Sequence, residues 1–95
     1  MAVQRGTGSG NISLTAYKIP CAIVSFNISN KTASNITVSV SVVDGKSSNQ
    51  YLVSALDYVL KPGQAYIRDS KINLKPKDFV KIQSSGTIDY YFSIE

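Results

Sequence analysis

The chain has 95 residues, of which 43% are hydrophobic and 17% are charged, and its formal net charge is +4. This length allows one domain with a modest core that buries roughly 60–65% of the unfolded surface. The charged share lies below the roughly 25% usual for soluble domains, and neutral Ser, Thr and Asn side chains replace it, which favours a surface covered by neighbouring proteins. The lysines and arginines are scattered, and their one cluster, Lys71, Lys75, Lys77 and Lys81, is interrupted by acidic residues. A nucleic-acid surface needs denser basic residues with exposed aromatic side chains among them, so we expect a solvated surface there.

The cysteine and histidine content excludes several further kinds of functional site. Cys21 is the only cysteine and there is no histidine, which excludes an intrachain disulfide, a Cys–His nucleophile and a zinc site built from the usual ligands. We expect Cys21 to be a buried, inert thiol. The chain shows no signal peptide and no apolar stretch of roughly 18 residues, so we expect it to be made and used without secretion.

The first eleven residues, MAVQRGTGSGN, are polar and rich in glycine. Such a segment buries little apolar surface, so we expect a flexible N-terminal arm over residues 1–11, ahead of a single domain over residues 12–95. Two interpretations stay open: a frayed terminus, or an arm that orders against a neighbouring subunit. In the second, Gly6, Gly8 and Gly10 would allow the arm to lie flat on the other surface.

Residues 12–42 contain three stretches in which apolar and polar side chains alternate. The first runs from Ile12 towards Ile19, and the next two, over residues 22–29 and 36–42, are joined by a small polar loop. A period of two is typical of strands with one buried face. The opposite face of the second and third strands carries small neutral polar side chains: Ser25, Asn27, Ser29, Thr37, Ser39 and Ser41.

The second half of the chain alternates short strands with strong turn signals. Asp44-Gly45 ends the third strand. A near repeat, Leu60-Lys61-Pro62-Gly63-Gln64 and Leu74-Lys75-Pro76-Lys77-Asp78, predicts two turns with proline in the second position. We expect strands over residues 50–54, 58–60, 65–69, 72–74, 79–83 and 88–94, with a turn at Ser84-Ser85-Gly86 before the last.

No window has helical periodicity, and seven or eight short strands follow one another with turns between them. This pattern predicts an all-β fold, a small antiparallel β-sandwich of the jelly-roll or Ig-like type. Two sheets about 10 Å apart would interleave their inward residues. The predicted core consists of Leu14, Val24, Phe26, Ile28, Ile36, Val38, Val40, Val42, Leu60, Ile72, Leu74, Val80, Ile82, Ile88, Tyr90, Phe92 and Ile94.

Catalytic and ligand-binding motifs are not evident. Without histidine, the remaining proton acceptors are carboxylates and lysines, and Asp44, Asp57, Asp69 and Asp78 all lie near predicted turns, where Asp side chains bond backbone amides. No calcium loop or phosphate-binding glycine motif is present. We therefore expect no enzyme activity, no cofactor and no metal.

The residues that remain are candidates for an interface. Tyrosine is favoured there because it is large and stiff and has a polar tip, and adjacent Tyr90 and Tyr91 must point to opposite faces of a regular strand. Sugar binding by Tyr51, Tyr66 or Tyr91 is an alternative use of the same rings. The candidate interface residues are Arg5, Gly6, Gly8, Gly10, Ser25, Asn27, Thr37, Ser39, Tyr51, Tyr66 and Tyr91.

A series of motifs spans nearly the whole chain: the glycine-rich start, residues 26–32 running into 36–40, Asp44-Gly45, residues 51–53, 60–63, 71–74 and 76–78, Ser84-Ser85 and the closing residues 93–95. In their order these motifs resemble small β-sandwich structural proteins of tailed bacteriophages. The chain departs from the pattern at Lys77, where a glycine would make a more usual turn.

The resemblance implies a non-enzymatic structural protein of the virion. The most specific expectation is a capsid decoration (cement) protein, bound in many copies to the major capsid protein and forming a homo-oligomer or multicopy array. The alternatives are a neck, head–tail connector or tail accessory protein and, from the tyrosines, a carbohydrate-binding module. We expect no nucleic-acid, membrane or small-molecule partner.

Overall fold

Eight β-strands and no helix form the part of the chain that the computed structural model describes, residues 2–54 and 56–95. All strand pairs are antiparallel and belong to one sheet that curls into a half-barrel. The all-β prediction is therefore confirmed. The strands are β1 (Ala2–Ser13), β2 (Cys21–Asn30), β3 (Ile36–Val43), β4 (Gln50–Leu52), β5 (Tyr58–Leu60), β6 (Ala65–Arg68), β7 (Ile72–Leu74) and β8 (Phe79–Ile94).

The long strand β8 organises the sheet. One of its edges pairs with β1 from Ala2↔Ile94 to Ser13↔Lys81. Its other edge is shared, because the first half of β8 pairs with β3 and the second half pairs with β2. Strands β4 and β5 extend the β3 side, and β6 and β7 extend the β2 side. The sheet thus has two wings, β3 with β4 and β5, and β2 with β6 and β7. Both wings start at β8 and curl around a shared apolar interior.

The point where β8 changes partner is a bulge. Gly8 faces Ile88 and Gly10 faces Ser84, so residues 85–87 of β8 lie opposite Ser9 alone. A Cβ added to Gly86 would come within 2.5 Å of Ile36 Cγ2, so only glycine allows β3 to pack this closely. The turn predicted at residues 84–86 is therefore wrong: the chain forms a bulge there, is paired with β1 on both sides of it and continues as one strand.

The N-terminal segment differs most from its prediction. Instead of a flexible arm over residues 1–11, the described residues form β1 and lie on β8. Strand pairing needs backbone groups rather than apolar side chains, and the glycines help it. A Cβ on Gly6 would lie 2.7 Å from the Tyr90 hydroxyl, so the ring covers the bare backbone. The Gln4 side chain also bonds the backbone of Thr15 in both directions, at 2.9 and 2.8 Å, where β1 has already ended although the predicted first strand continued towards Ile19.

The interior contains most of the predicted core. Val24, Ile72 and Tyr90 are only partly buried, whereas Ala22, Ile23 and Val43 are buried without having been predicted. A bulge explains the shift in β2. Ile23 faces Ile94 and Ser25 faces Ser93, so the intervening Val24 has no partner of its own and the inward positions change parity.

The near repeat forms two turns of the same type. Gln64 N–H donates to Lys61 O at 2.9 Å and Asp78 N–H donates to Lys75 O at 3.1 Å. The third turn positions, Gly63 and Lys77, have φ of 74° and 72°. Proline second and a positive φ third define a type II turn. The backbone of Lys77 adopts the left-handed conformation that glycine favours, which explains why a glycine was expected at this position.

Candidate interaction face

Three neighbouring strands present a continuous outward surface, which we call the outer face. Its odd-numbered residues come from β1, β8 and β2 in that spatial order. The register aligns them in rows across the sheet: Val3–Ser93–Ser25, Arg5–Tyr91–Asn27 and Thr7–Asp89–Ser29. Alternation along each strand sends the even-numbered neighbours into the core and these side chains outward.

The middle of the outer face is a shallow depression of about 520 Å³ around Tyr91, which is 44% exposed. One rim is charged. Asp89 is bonded to the Thr7 hydroxyl and forms an ion pair with Lys31 at 3.5 Å. Arg5 adds a positive charge to the lining, and Asn27 and Ser29 are neutral and short. Tyr90 also lines the depression, which therefore combines aromatic residues with hydrogen-bonding groups of both kinds.

Four of the predicted interface residues meet on this face. Arg5, Asn27 and Tyr91 form one row, and Ser25 lies in the next. The glycines of β1 have other positions: Gly6 lies under Tyr90, and Gly8 approaches Ile12. Gly10, with a φ of 73°, lies opposite Ser84 at the bulge. Gly6 and Gly8 thus contribute to the packing of β1 within its own chain, and the expected contact of these glycines with another subunit stays a prediction.

The predicted residues of β3 lie elsewhere. Thr37 is half-buried, and its N–H donates to Ser85 Oγ at 2.8 Å. Ser39 is buried and its hydroxyl accepts a hydrogen bond from Asp57 N–H at 2.8 Å. The hydroxyl of Ser39 thus has its hydrogen-bond partner in the loop between β4 and β5, and Ser39 is not part of the outer face.

The remaining tyrosines separate into two environments. Tyr66 is partly buried, with its ring stacked on Phe26 at a centroid distance of 5.8 Å and edge-on to Tyr58 at 4.9 Å. Tyr51 is 57% exposed on β4, apart from the other candidates. Of the three tyrosines that are candidates for sugar binding, Tyr91 alone belongs to the outer face.

Sequence reasoning missed several members of this face. Ile67 on β6 pairs with Asn27 and is 67% exposed, which widens the surface with an apolar side chain. Val3, Thr7 and Asp89 were also missed. Their alternation with inward neighbours is visible in the sequence once residues 2–13 are read as a strand.

Hydrogen bonds, neighbouring charges and burial shift the pKa values of three side chains. Backbone N–H groups of Ser47 and Lys46 bond the Asp44 carboxylate and lower its pKa. The Lys71 ammonium lowers the pKa of Glu95 in the same way, by a hydrogen bond and by its charge. Burial raises the pKa of the Cys21 thiol, with a smaller contribution from the negative charge of Asp78.

No metal-ligating group of three or more Cys, Asp or Glu side chains occurs among residues 2–54 and 56–95. The same residues include no helix of the length and apolarity needed to cross a membrane. Comparison with known proteins gives no match to a family model, to a curated protein or to a solved structure.

Proposed function

We propose that this chain is a non-enzymatic structural protein that binds another protein through the outer face. The observation that carries the proposal is the row Arg5–Tyr91–Asn27, which is continuous across three strands. It has an aromatic ring at its centre and Ile67 at its end. Partly exposed aromatic anchors surrounded by polar groups are the usual centres of protein interfaces.

The energetics of the outer face favour a protein partner. Ser25, Ser29 and Ser93 are short and uncharged, so covering them costs less than covering lysine or glutamate. Val3, Ile67 and Tyr91 are each more than two-fifths exposed and supply the apolar area. We expect Tyr91→Ala to cost about 2 kcal/mol of binding, a roughly 30-fold weaker Kd.

The partner we propose is the major capsid protein of a tailed bacteriophage, with this chain as a decoration protein bound in many copies. The support is the resemblance in the order of motifs, the low charge and the small size of the chain. Multiplicity supplies avidity even where each contact is small. A place at the neck or tail is the second form of the same proposal, and the two differ in copy number.

We also propose that the curled sheet is a β-sandwich of the jelly-roll or Ig-like type. The support is the divergence of two wings from β8 and the side chains that both wings contribute to one interior, such as Phe26 from β2 and Val38 from β3. An experimental structure with the two wings packed face to face, about 10 Å apart, is the expected result. Wings that close edge to edge into a barrel would contradict it.

The test is to purify virus particles that encode this chain on a density gradient and to measure how many copies of the chain each particle contains. Hundreds of copies support decoration, and about a dozen support the neck or tail. Absence from the particle band overturns the virion proposal. Tyr91→Ala should reduce occupancy, whereas Tyr51→Ala, which removes a more exposed ring on β4, should leave it unchanged.

Carbohydrate binding is a second candidate function, favoured by the depression around Tyr91. An exposed ring flanked by the polar side chains of Arg5, Asn27 and Asp89 is an arrangement that can stack on a sugar and bond its hydroxyls. A glycan array decides this: binding that Tyr91→Ala abolishes and Tyr51→Ala preserves supports it. A signal at background level for every glycan would contradict carbohydrate binding.

A further inference from the structure

The outer edge of β1 is open. Strand β1 is hydrogen-bonded to β8 along its whole length and to no other strand among residues 2–54 and 56–95. An open strand edge offers N–H and C=O groups that another strand can bond. The edge is therefore a second surface, distinct from the outer face because it is recognised through backbone groups.

The hydrogen bonds identify which residues supply those groups. Leu14 N–H donates to Val80 O at 2.9 Å, so the even-numbered residues of this strand bond β8. At the other end, Lys31 N–H donates to Thr87 O at 3.1 Å, so the odd-numbered residues of β8 bond β2 and its even-numbered ones bond β1. The register keeps even opposite even on both sides of the bulge. The N–H and C=O groups of Val3, Arg5 and Thr7 therefore point to the open edge.

The other edges of the sheet are short. Strands β4, β5 and β7 have three residues each and β6 has four, whereas β1 has 12. Prolines follow two of them closely, Pro62 after β5 and Pro76 after β7. Strand β1 has no proline and no lysine, and Arg5 is its single charged residue. Apart from Arg5, the described residues of β1 thus carry neither the prolines nor the lysines that usually prevent edge pairing.

We propose that a second copy of this chain pairs with β1 through its own β1, antiparallel and centred on Gly6. Arg5 of each copy then lies opposite Thr7 of the other, and Val3 lies opposite Ser9. The backbone groups of Arg5 and Thr7 point outward, so each of the two Arg5–Thr7 pairs forms two hydrogen bonds, roughly four in all. A twofold arrangement of this kind closes on itself.

Charge selects this register. Pairing centred on Arg5 would place the two guanidinium groups directly opposite each other, which is destabilising. Centring on Gly6 instead directs Arg5 over Thr7 of the second copy, towards the Asp89 that faces that Thr7. Two strand spacings separate these Cα atoms by about 10 Å, which an extended arginine and an aspartate span. No described residue forms an ion pair with Arg5 in the single chain.

The first test is sedimentation of the purified chain over a concentration series. Because the contact is narrower than a standard interface, we expect a Kd between about 1 μM and 1 mM, with the mass rising from 10.3 kDa towards twice that value. Thr7→Pro removes an outward N–H, leaves the backbone hydrogen bonds between β1 and β8 in place and should keep the chain monomeric. Thr7→Ala is the matched control and should dimerise like the parent.

The second test is a charge swap. Arg5→Glu alone places a carboxylate near Asp89 of the other copy, and Asp89→Lys alone places an ammonium group near Arg5 of the other copy, so each variant should be monomeric. An equimolar mixture pairs opposite charges at both ends of the contact and should restore a heterodimer. This outcome does not require Thr7→Pro to fold, and circular dichroism verifies that both partners are folded.

Three results would overturn the proposal. One is a parent chain that stays monomeric at every concentration, which would leave the edge to a strand of a different protein. Another is a Thr7→Pro dimer as strong as that of the parent. The third is a mixture of charge variants that stays monomeric while both are folded. None of these measurements involves capsids, so the outcome is independent of the proposed function.

Discussion

Replacing Asn30 with alanine should strongly destabilise the fold, because this polar side chain is buried and all of its hydrogen-bonding groups have partners. Asn30 is 4% exposed at the end of β2. Its Nδ2 group donates to Leu60 O at 3.0 Å and to Ser34 O at 2.8 Å. Its Oδ1 accepts from the N–H and the hydroxyl of Thr32, at 2.8 and 2.7 Å. One side chain thus joins the β2–β3 loop to the end of β5.

The magnitude follows from what each lost bond leaves behind. The Leu60 carbonyl belongs to a residue with no exposed surface, and a buried group without a partner costs about 1–3 kcal/mol. The bonds to Ser34 and Thr32 are nearer to solvent, so water replaces them in part, and together they contribute about 1–2 kcal/mol. The expected loss is about 3–4 kcal/mol, a large share of the 5–15 kcal/mol typical of a domain.

Urea unfolding followed by circular dichroism measures this loss. Ser29→Ala is the control, because its hydroxyl is partly exposed and makes one long bond, 3.3 Å to Asn27, so the change should stay within about 0.5 kcal/mol. Asn30→Asp keeps the acceptor but turns a carboxylate oxygen towards Leu60 O. That carboxyl should have a raised pKa in the folded state, so the stability of the variant should be highest at acid pH and fall as the pH rises.

Two results would refute this reasoning. A loss below about 1 kcal/mol for Asn30→Ala would mean that water satisfies the Leu60 carbonyl. An Asn30→Asp variant whose stability relative to the parent does not depend on pH would mean that its carboxyl does not face carbonyl oxygens.

Three further predictions concern the turns. Gly45→Ala should lower the free energy of unfolding in urea by about 2 kcal/mol, because a Cβ there would overlap the backbone carbonyl of Lys77; Gly63→Ala serves as the comparison for strain without overlap. Lys77→Gly should stabilise the fold by about 0.5–1 kcal/mol, because it relieves a φ of 72°, and an unchanged unfolding midpoint would contradict this. Asp44 has a lowered pKa in the folded state, so its contribution to stability is present above about pH 4 and is lost as the pH falls below it; Asp44→Asn should flatten that part of the stability–pH curve.

Local patterns predicted the strands well and their partners poorly. Alternation identified β2, β3 and the second half of β8 because each has one buried face. The turn repeat was readable because proline and a following positive-φ position are local requirements. The arm was misjudged because β1 gains its order from backbone bonds to residues 81–94, far along the chain. No local signal in a polar, glycine-rich segment reports such a partner.

The bulges illustrate the same limit. A bulge in β2 exchanges the roles of Ile23 and Val24, and the bulge in β8 turns a predicted loop into a bend within a strand. Both depend on how two distant strands share one edge. The outer face could be predicted only in fragments for this reason: Asn27 and Tyr91 were each recognised as outward-facing, but their adjacency to Arg5 needs the order β1–β8–β2.

The two proposed surfaces meet at Arg5 and Thr7, and this has a consequence for assembly. Pairing of two β1 edges would join two outer faces into one twofold surface with both Tyr91 rings on the same side, since a continuous antiparallel sheet keeps its odd-numbered residues together. A dimer would then contact a symmetric partner twice, and the second contact would raise the apparent affinity without any new side chain. Relative to the matched control Thr7→Ala, which removes the same hydroxyl from the outer face, Thr7→Pro should therefore weaken binding to a multivalent partner and leave binding to a monovalent fragment unchanged, whereas Ile67→Ser should weaken both. Equal effects of Thr7→Pro on the two partners would show that the edge belongs to the binding site itself and not to a separate dimer contact.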